Sequence, residues 1–148
     1  MYKKCFCRLR LLERLLLQSL SGEMTRQILV VDDDDSILTI VKLSLEFCEG
    51  WDVTTIDSAT KAIALAESKC PDAIVLDVMM PELNGAEVLQ ALRSKPATQD
   101  IPIIFLTAKA DRQKHQSLKD LGAAGVLVKP FEPDMIADQI KTLLHWSD

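Results

Sequence analysis

Five side chains in this sequence could act together on a phosphoryl group, and each stands where a short apolar run stops. Ile28-Leu29-Val30-Val31 runs into Asp32 and Asp33, Ala73-Ile74-Val75-Leu76 into Asp77, Pro102-Ile103-Ile104-Phe105-Leu106 into Thr107, and Gly125-Val126-Leu127-Val128 into Lys129. Taken singly each has an ordinary explanation: an Asp at a strand end is usually a turn former or cap, and Lys-Pro is usually a loop. Their recurrence, in order, at the ends of successive runs makes them a constellation. Carboxylates brought within a few ångströms raise one another's pKa. A hard divalent cation relieves that repulsion, and Mg2+ suits one or two carboxylates plus phosphate oxygens. Asp32, Asp33 and Asp77 therefore predict an Mg2+ site. Lys129 would neutralise charge on a transferring phosphoryl group and Thr107 would donate a hydrogen bond to it. One carboxylate is then free to act as nucleophile and become an aspartyl phosphate. Asp77, between the other acids and Lys129, is the candidate.

The elements that must position these groups follow from the hydrophobic pattern. Strands are predicted at 27–31, 52–56, 73–76, 102–106 and 125–128, and helices near 35–48, 58–69, 85–94, 111–121 and 133–146. Strict alternation of strand and helix predicts a parallel sheet covered on both faces. Nearly continuous apolar strands suit that burial. The expected fold is α/β: a flavodoxin-like, doubly wound five-stranded parallel sheet of order 2-1-3-4-5 with five helices. In such sheets ligands bind outside the carboxyl ends of the strands, where the constellation falls. Asp34 and Asp35 are read differently, as a cap and first-turn acid of the helix that follows.

Composition narrows the function classes. The chain has 148 residues, 48% hydrophobic and 26% charged, the size and make-up of one soluble domain. Residues 1–23 carry five Lys/Arg and two Asp/Glu, while residues 24–148 carry twelve Lys/Arg and twenty Asp/Glu. So acidic a domain argues against direct nucleic-acid binding. Cys5, Cys7, Cys48 and Cys70 show no CxxC spacing and read as reduced thiols of a cytoplasmic protein. No run approaches the roughly 18 apolar residues of a membrane span. Residues 1–23 read as an extension, helical or disordered, with Leu9, Leu12, Leu16 and Leu20 at helical spacing and with Met24 as an alternative start. Residues 24–148 form the domain. A membrane-surface or partner-binding role for the extension is weighed against a frayed end, and the latter is favoured.

These segments resemble the receiver domains of two-component response regulators over residues 26–146: Ile-Leu-Val-Val-Asp-Asp (28–33), Pro-Asp-Ala-Ile-Val-Leu-Asp-Val-Met-Met-Pro-Glu-Leu-Asn-Gly (71–85), Ile-Pro-Ile-Ile-Phe-Leu-Thr-Ala (101–108) and Val-Leu-Val-Lys-Pro-Phe (126–131). The resemblance implies that Asp77 accepts a phosphoryl group from a histidine kinase or histidine phosphotransfer protein. It also implies Mg2+ held by Asp32, Asp33, Asp77 and the Met79 carbonyl, and a cis bond between Lys129 and Pro130. Thr107 would move on phosphorylation and signal to a downstream protein through the helix 4, strand 5 and helix 5 face, which could also pair two copies. The resemblance implies a signalling module that catalyses its own phosphorylation and dephosphorylation rather than a metabolic enzyme.

One position departs from the pattern. Val126 stands where the family usually has Tyr or Phe, which predicts that output relies on the backbone from Thr107 to Asp111. Met79 and Lys109, each two residues past a key strand end, are expected to set the lifetime of the phosphoryl group. Because no output domain follows residue 148, a stand-alone receiver or the receiver piece of a larger system is expected. Two other classes are weaker. A haloacid-dehalogenase-like phosphatase needs an Asp where Met79 stands. A flavodoxin-like FMN binder needs a Ser/Thr/Gly-rich phosphate loop where Asp32 to Asp35 stand.

Overall fold

The computed structural model describes residues 25–108 and 112–147, together with residues 12, 13, 15–17, 19 and 20, which are helical. Five strands, β1 (Gln27–Val31), β2 (Asp52–Ile56), β3 (Ala73–Asp77), β4 (Ile103–Thr107) and β5 (Gly125–Val128), alternate with five helices. The helices are α1 (Asp35–Glu49), α2 (Ala59–Lys69), α3 (Gly85–Arg93), α4 (Arg112–Asp120) and α5 (Ile136–Leu144). The strands form one parallel sheet of order β2-β1-β3-β4-β5, as the sequence predicts.

Strand residues alternate between faces, so each apolar run feeds two cores. Ile28, Val30, Val75, Ile104 and Leu106 pack with Leu38, Val41 and Leu45 of α1 and Ile136 and Ile140 of α5. Leu29, Val31, Ile74, Leu76, Ile103 and Phe105 face the other way, onto α2, onto Val88, Leu89 and Leu92 of α3, and onto Leu118 of α4. Each fully buried Leu, Ile or Phe contributes about 2 kcal/mol. Apolar packing thus fixes the backbone of β1, β3 and β4, leaving their ends to carry polar groups.

Local signals start and stop the helices. Asp34 caps α1 by accepting from the backbone N–H groups of Ser36 and Ile37, and Asp35 lies in the first turn, as expected. Ser58 caps α2. Asn84 and Glu87 form a reciprocal capping box at α3. Gly50 ends α1 in the left-handed region at φ 65°, where lack of a Cβ removes strain. The last helix is shorter than its apolar pattern predicts. Met135 N–H bonds back to Glu132 in a separate turn, and His145 turns left-handed at φ 54° to close the helix on Lys141 and Thr142. Cys48 is free and exposed. Cys70 is disulfide-bonded, which corrects the expectation of uniformly reduced thiols. Among the described residues no helix is long and apolar enough to cross a membrane.

Candidate functional site

The parallel order places the ends of β1, β3, β4 and β5 side by side, and the side chains of Asp32, Asp33, Asp77 and Lys129 meet there, at the crevice outside the carboxyl ends of the strands. One carboxylate oxygen from each of Asp32, Asp33 and Asp77 lies within 4.8 Å of the other two. Asp32 is fully buried, Asp77 is 6% exposed, and Asp33 opens to solvent. Lys129 reaches in from the end of β5, with its Nζ 2.6 Å from Asp32 Oδ2 and 3.6 Å from Asp77 Oδ1. The backbone holds these groups as firmly as the side chains do. Asp34 N–H donates to Asp32 Oδ1 at 2.9 Å, Met79 N–H donates to Asp77 Oδ1 at 3.3 Å, and Lys129 N–H donates to the Thr107 carbonyl at 2.7 Å. Thr107 is buried at the end of β4, and the Lys129–Pro130 bond is cis.

The electrostatics follow from three acids facing one amine. Burial, and then the charge of Asp32, push the Asp77 carboxyl up to about 6, against the opposing pull of Lys129 and the Met79 N–H. Burial draws Lys129 down, but its hydrogen bond to Asp32 and the charges of Asp32 and Asp77 outweigh that, and its pKa is raised. The cluster is thus short of positive charge. Three hard oxygen donors of this kind, two of them buried, fit a small divalent cation.

Of the sequence-predicted side chains, those of Asp32, Asp33, Asp77 and Lys129 are brought together, while Thr107 is tied to Lys129 through its backbone carbonyl. Met79 itself is 71% exposed, and its backbone N–H bonds back to Asp77. Val126 is half-buried against the α2–α3 core and registers with Phe105 across the β4–β5 ladder. Lys109 and the rest of 109–111 lie outside the described residues, as does most of the 1–23 extension. One contact has no mark in the sequence. The Glu82 carboxylate accepts hydrogen bonds from Thr60 at 2.9 Å and from Ser58 at 3.2 Å. Only Ser58 had a local signal, as a cap. A cavity of about 330 Å³ lies at the opposite edge of the sheet, by Gln27, Asp52 and Lys69, and shares no residue with the acid cluster.

Comparison with known proteins identifies the family. Residues 28–141 match the model of the response regulator receiver domain. The chain is 40% identical to the alkaline phosphatase synthesis transcriptional regulatory protein PhoP of Bacillus subtilis over 84% of its length and 51% of that protein. It is 38% identical to the DNA-binding dual master transcriptional regulator RpaA of Synechocystis, over 82% of its length and 50% of that protein. It spans about half the length of these curated relatives. Among solved structures, the chemotaxis response regulator CheY4 of Vibrio cholerae superposes with a TM-score of 0.76 at 33% identity, covering 81% of this chain and 99% of that one.

Proposed function

The chain belongs to the response regulator receiver domain family, and from that premise we propose that it is an Mg2+-dependent phosphoryl acceptor with Asp77 as the acceptor residue. The gathering of Asp32, Asp33 and Asp77 within 4.8 Å, with Lys129 against two of them, carries this reading. A donor phosphohistidine on a histidine kinase or phosphotransfer protein would present its phosphorus to the crevice. An Asp77 carboxylate oxygen attacks it, the O–P bond forms as the P–N bond breaks, and the imidazole leaves. Asp32, Asp33, Asp77 and the Met79 carbonyl are the groups that would hold Mg2+, which supplies positive charge to the phosphoryl oxygens when bound. Lys129 leaves its pairing with Asp32 and contacts a phosphoryl oxygen, adding electrostatic stabilisation in a site where water is partly excluded. Thr107 offers its hydroxyl to another oxygen and carries the change into the loop after β4.

The domain thereby catalyses its own modification and is a signalling module rather than a metabolic enzyme. Hydrolysis of the aspartyl phosphate returns it to the starting state. Output passes to a downstream protein partner in the cytoplasm, with two copies of the α4-β5-α5 face able to pair. The test needs no kinase. Acetyl phosphate with Mg2+ is expected to label wild-type protein, chelation of the metal to prevent it, and Asp77→Asn to abolish it. Full labelling of Asp77→Asn would refute the assignment.

A further inference from the structure

The loop from Asp77 to Gly85 carries both the proposed acceptor and the proposed carbonyl ligand, and what holds it still decides how well the site is preformed. Its start is fixed by the Val78 N–H on the Leu106 carbonyl at 3.0 Å and by the Met79 N–H on Asp77. Its end is fixed by the Gly85 N–H on the Val78 carbonyl at 2.9 Å and by the Asn84–Glu87 capping box. Between these ends Met80 and Leu83 lean on the core, and Pro81 and Glu82 are exposed. Glu82 is nevertheless tied. Its Oε2 accepts the Thr60 hydroxyl at 2.9 Å and the Ser58 hydroxyl at 3.2 Å, and the latter also reaches Oε1 at 3.4 Å.

The topology gives this tie its meaning. Ser58 and Thr60 follow β2, Glu82 follows β3, and β1 lies between those two strands. The link therefore joins the loops on either side of the strand that delivers Asp32 and Asp33. Hydrogen bonds from Thr60 and then Ser58 hold the Glu82 carboxyl below its usual range, so it is ionised and a strong acceptor at neutral pH. Glu82 is not among the acids that converge on the proposed metal position.

We propose that Glu82 is a positioning residue for the phosphoryl site: clipped to Thr60 and Ser58, it holds the Met79 segment in place and so sets how tightly the acid cluster binds a divalent cation. The assignment rests on the acceptor reading above. Loss of the clip lets the loop sample other conformations, and binding must then restore order before the carbonyl can be used. The expected consequence is weaker cation binding with unchanged chemistry once the cation is bound.

The test is direct titration of Mg2+ into the unphosphorylated full chain by calorimetry. Glu82→Ala is expected to weaken Mg2+ about tenfold, the lower end of losses seen when groups that orient metal ligands are removed. Glu82→Gln, which keeps an acceptor oxygen, is expected to stay within about twofold of wild type, and Glu82→Ala combined with Thr60→Val to be no weaker than Glu82→Ala alone within about twofold. In acetyl phosphate labelling, Glu82→Ala should raise the half-saturating Mg2+ concentration and leave the rate at saturation unchanged. A merely structural role would lower the melting temperature without moving Mg2+ affinity. Unchanged Mg2+ affinity in Glu82→Ala would overturn the clip while leaving Asp77 as acceptor, provided Asp77→Asn still abolishes labelling. A wild-type chain that binds no Mg2+ would overturn both.

Discussion

The two edges of the sheet show opposite uses of the same polar residue types. At the amino edge, charges are spent on closure. The Asp72 carboxylate accepts the Gln27 N–H at 2.7 Å, and the Asp72 N–H returns a bond to the Gln27 carbonyl at 2.7 Å. Trp146 stacks edge-on against buried Trp51 at 5.6 Å between ring centroids, and the Arg26 guanidinium sits 3.9 Å over the Trp146 ring. At the carboxyl edge, three acids share one lysine. One edge ties its charged groups to backbone and ring partners, and the other gathers three acids around Lys129. In the proposed function, that imbalance is held in place by a well-packed sheet.

If that contrast is right, removing the imbalance should stabilise the domain. The Asp77 carboxyl sits at about 6 in the folded chain against 3.8 for an unperturbed Asp carboxyl. A raised carboxyl pKa means that the folded state holds the proton more tightly. Its contribution to stability is therefore complete below the unfolded value and lost as pH rises through the folded one. In metal-free buffer well above the folded value, Asp77→Asn is expected to raise the unfolding free energy by about 3 kcal/mol. The gain should vanish below the unfolded value, as denaturant melts across pH would show. A gain independent of pH would break the comparison.

The next effects are smaller and separate the edges. Lys129→Ala removes the amine paired with Asp32 and Asp77 and is expected to slow labelling by acetyl phosphate about 100-fold, measured at saturating Mg2+. Gly85→Ala would set a Cβ 2.6 Å from Phe105 Cε1 and 3.0 Å from Val78 Cα. That overpacking should cost about 2 kcal/mol and also slow labelling, because it pushes on the Asp77 loop. Trp146→Ala loses the stacked ring and its cation contact, about 1.5 kcal/mol, and should leave the labelling rate at wild type. A slowed rate in Trp146→Ala would show that the two edges are not independent.

Much of this was legible because burial and chemistry coincide at strand ends. An apolar run broken by Asp32, Asp77, Thr107 or Lys129 states both where a parallel strand stops and which group faces the crevice. Asp34 and Asp35 could be sorted from Asp32 and Asp33 because caps and first-turn acids obey a local rule. The Glu82 clip obeys none. It joins residues more than twenty positions apart, and an exposed Glu in a Pro-containing loop looks like any solvated charge. Helix ends set by the turn at Glu132–Met135 and by the left-handed His145 were likewise hidden, since an apolar period continues past the point where the backbone turns away. Val126 marks a missing aromatic in the sequence, but its register against Phe105 is set by the β4–β5 ladder, which no local pattern encodes.

In the proposed mechanism, side chains from four strand ends make a single site in which residue 77 takes the phosphoryl group. Treating acetyl-phosphate-labelled protein with tritiated borohydride reduces an aspartyl phosphate to homoserine, and peptide sequencing then locates the tritium. Mg2+-dependent tritium is expected at residue 77. Tritium at another residue, or at residue 77 without dependence on the metal, would contradict it.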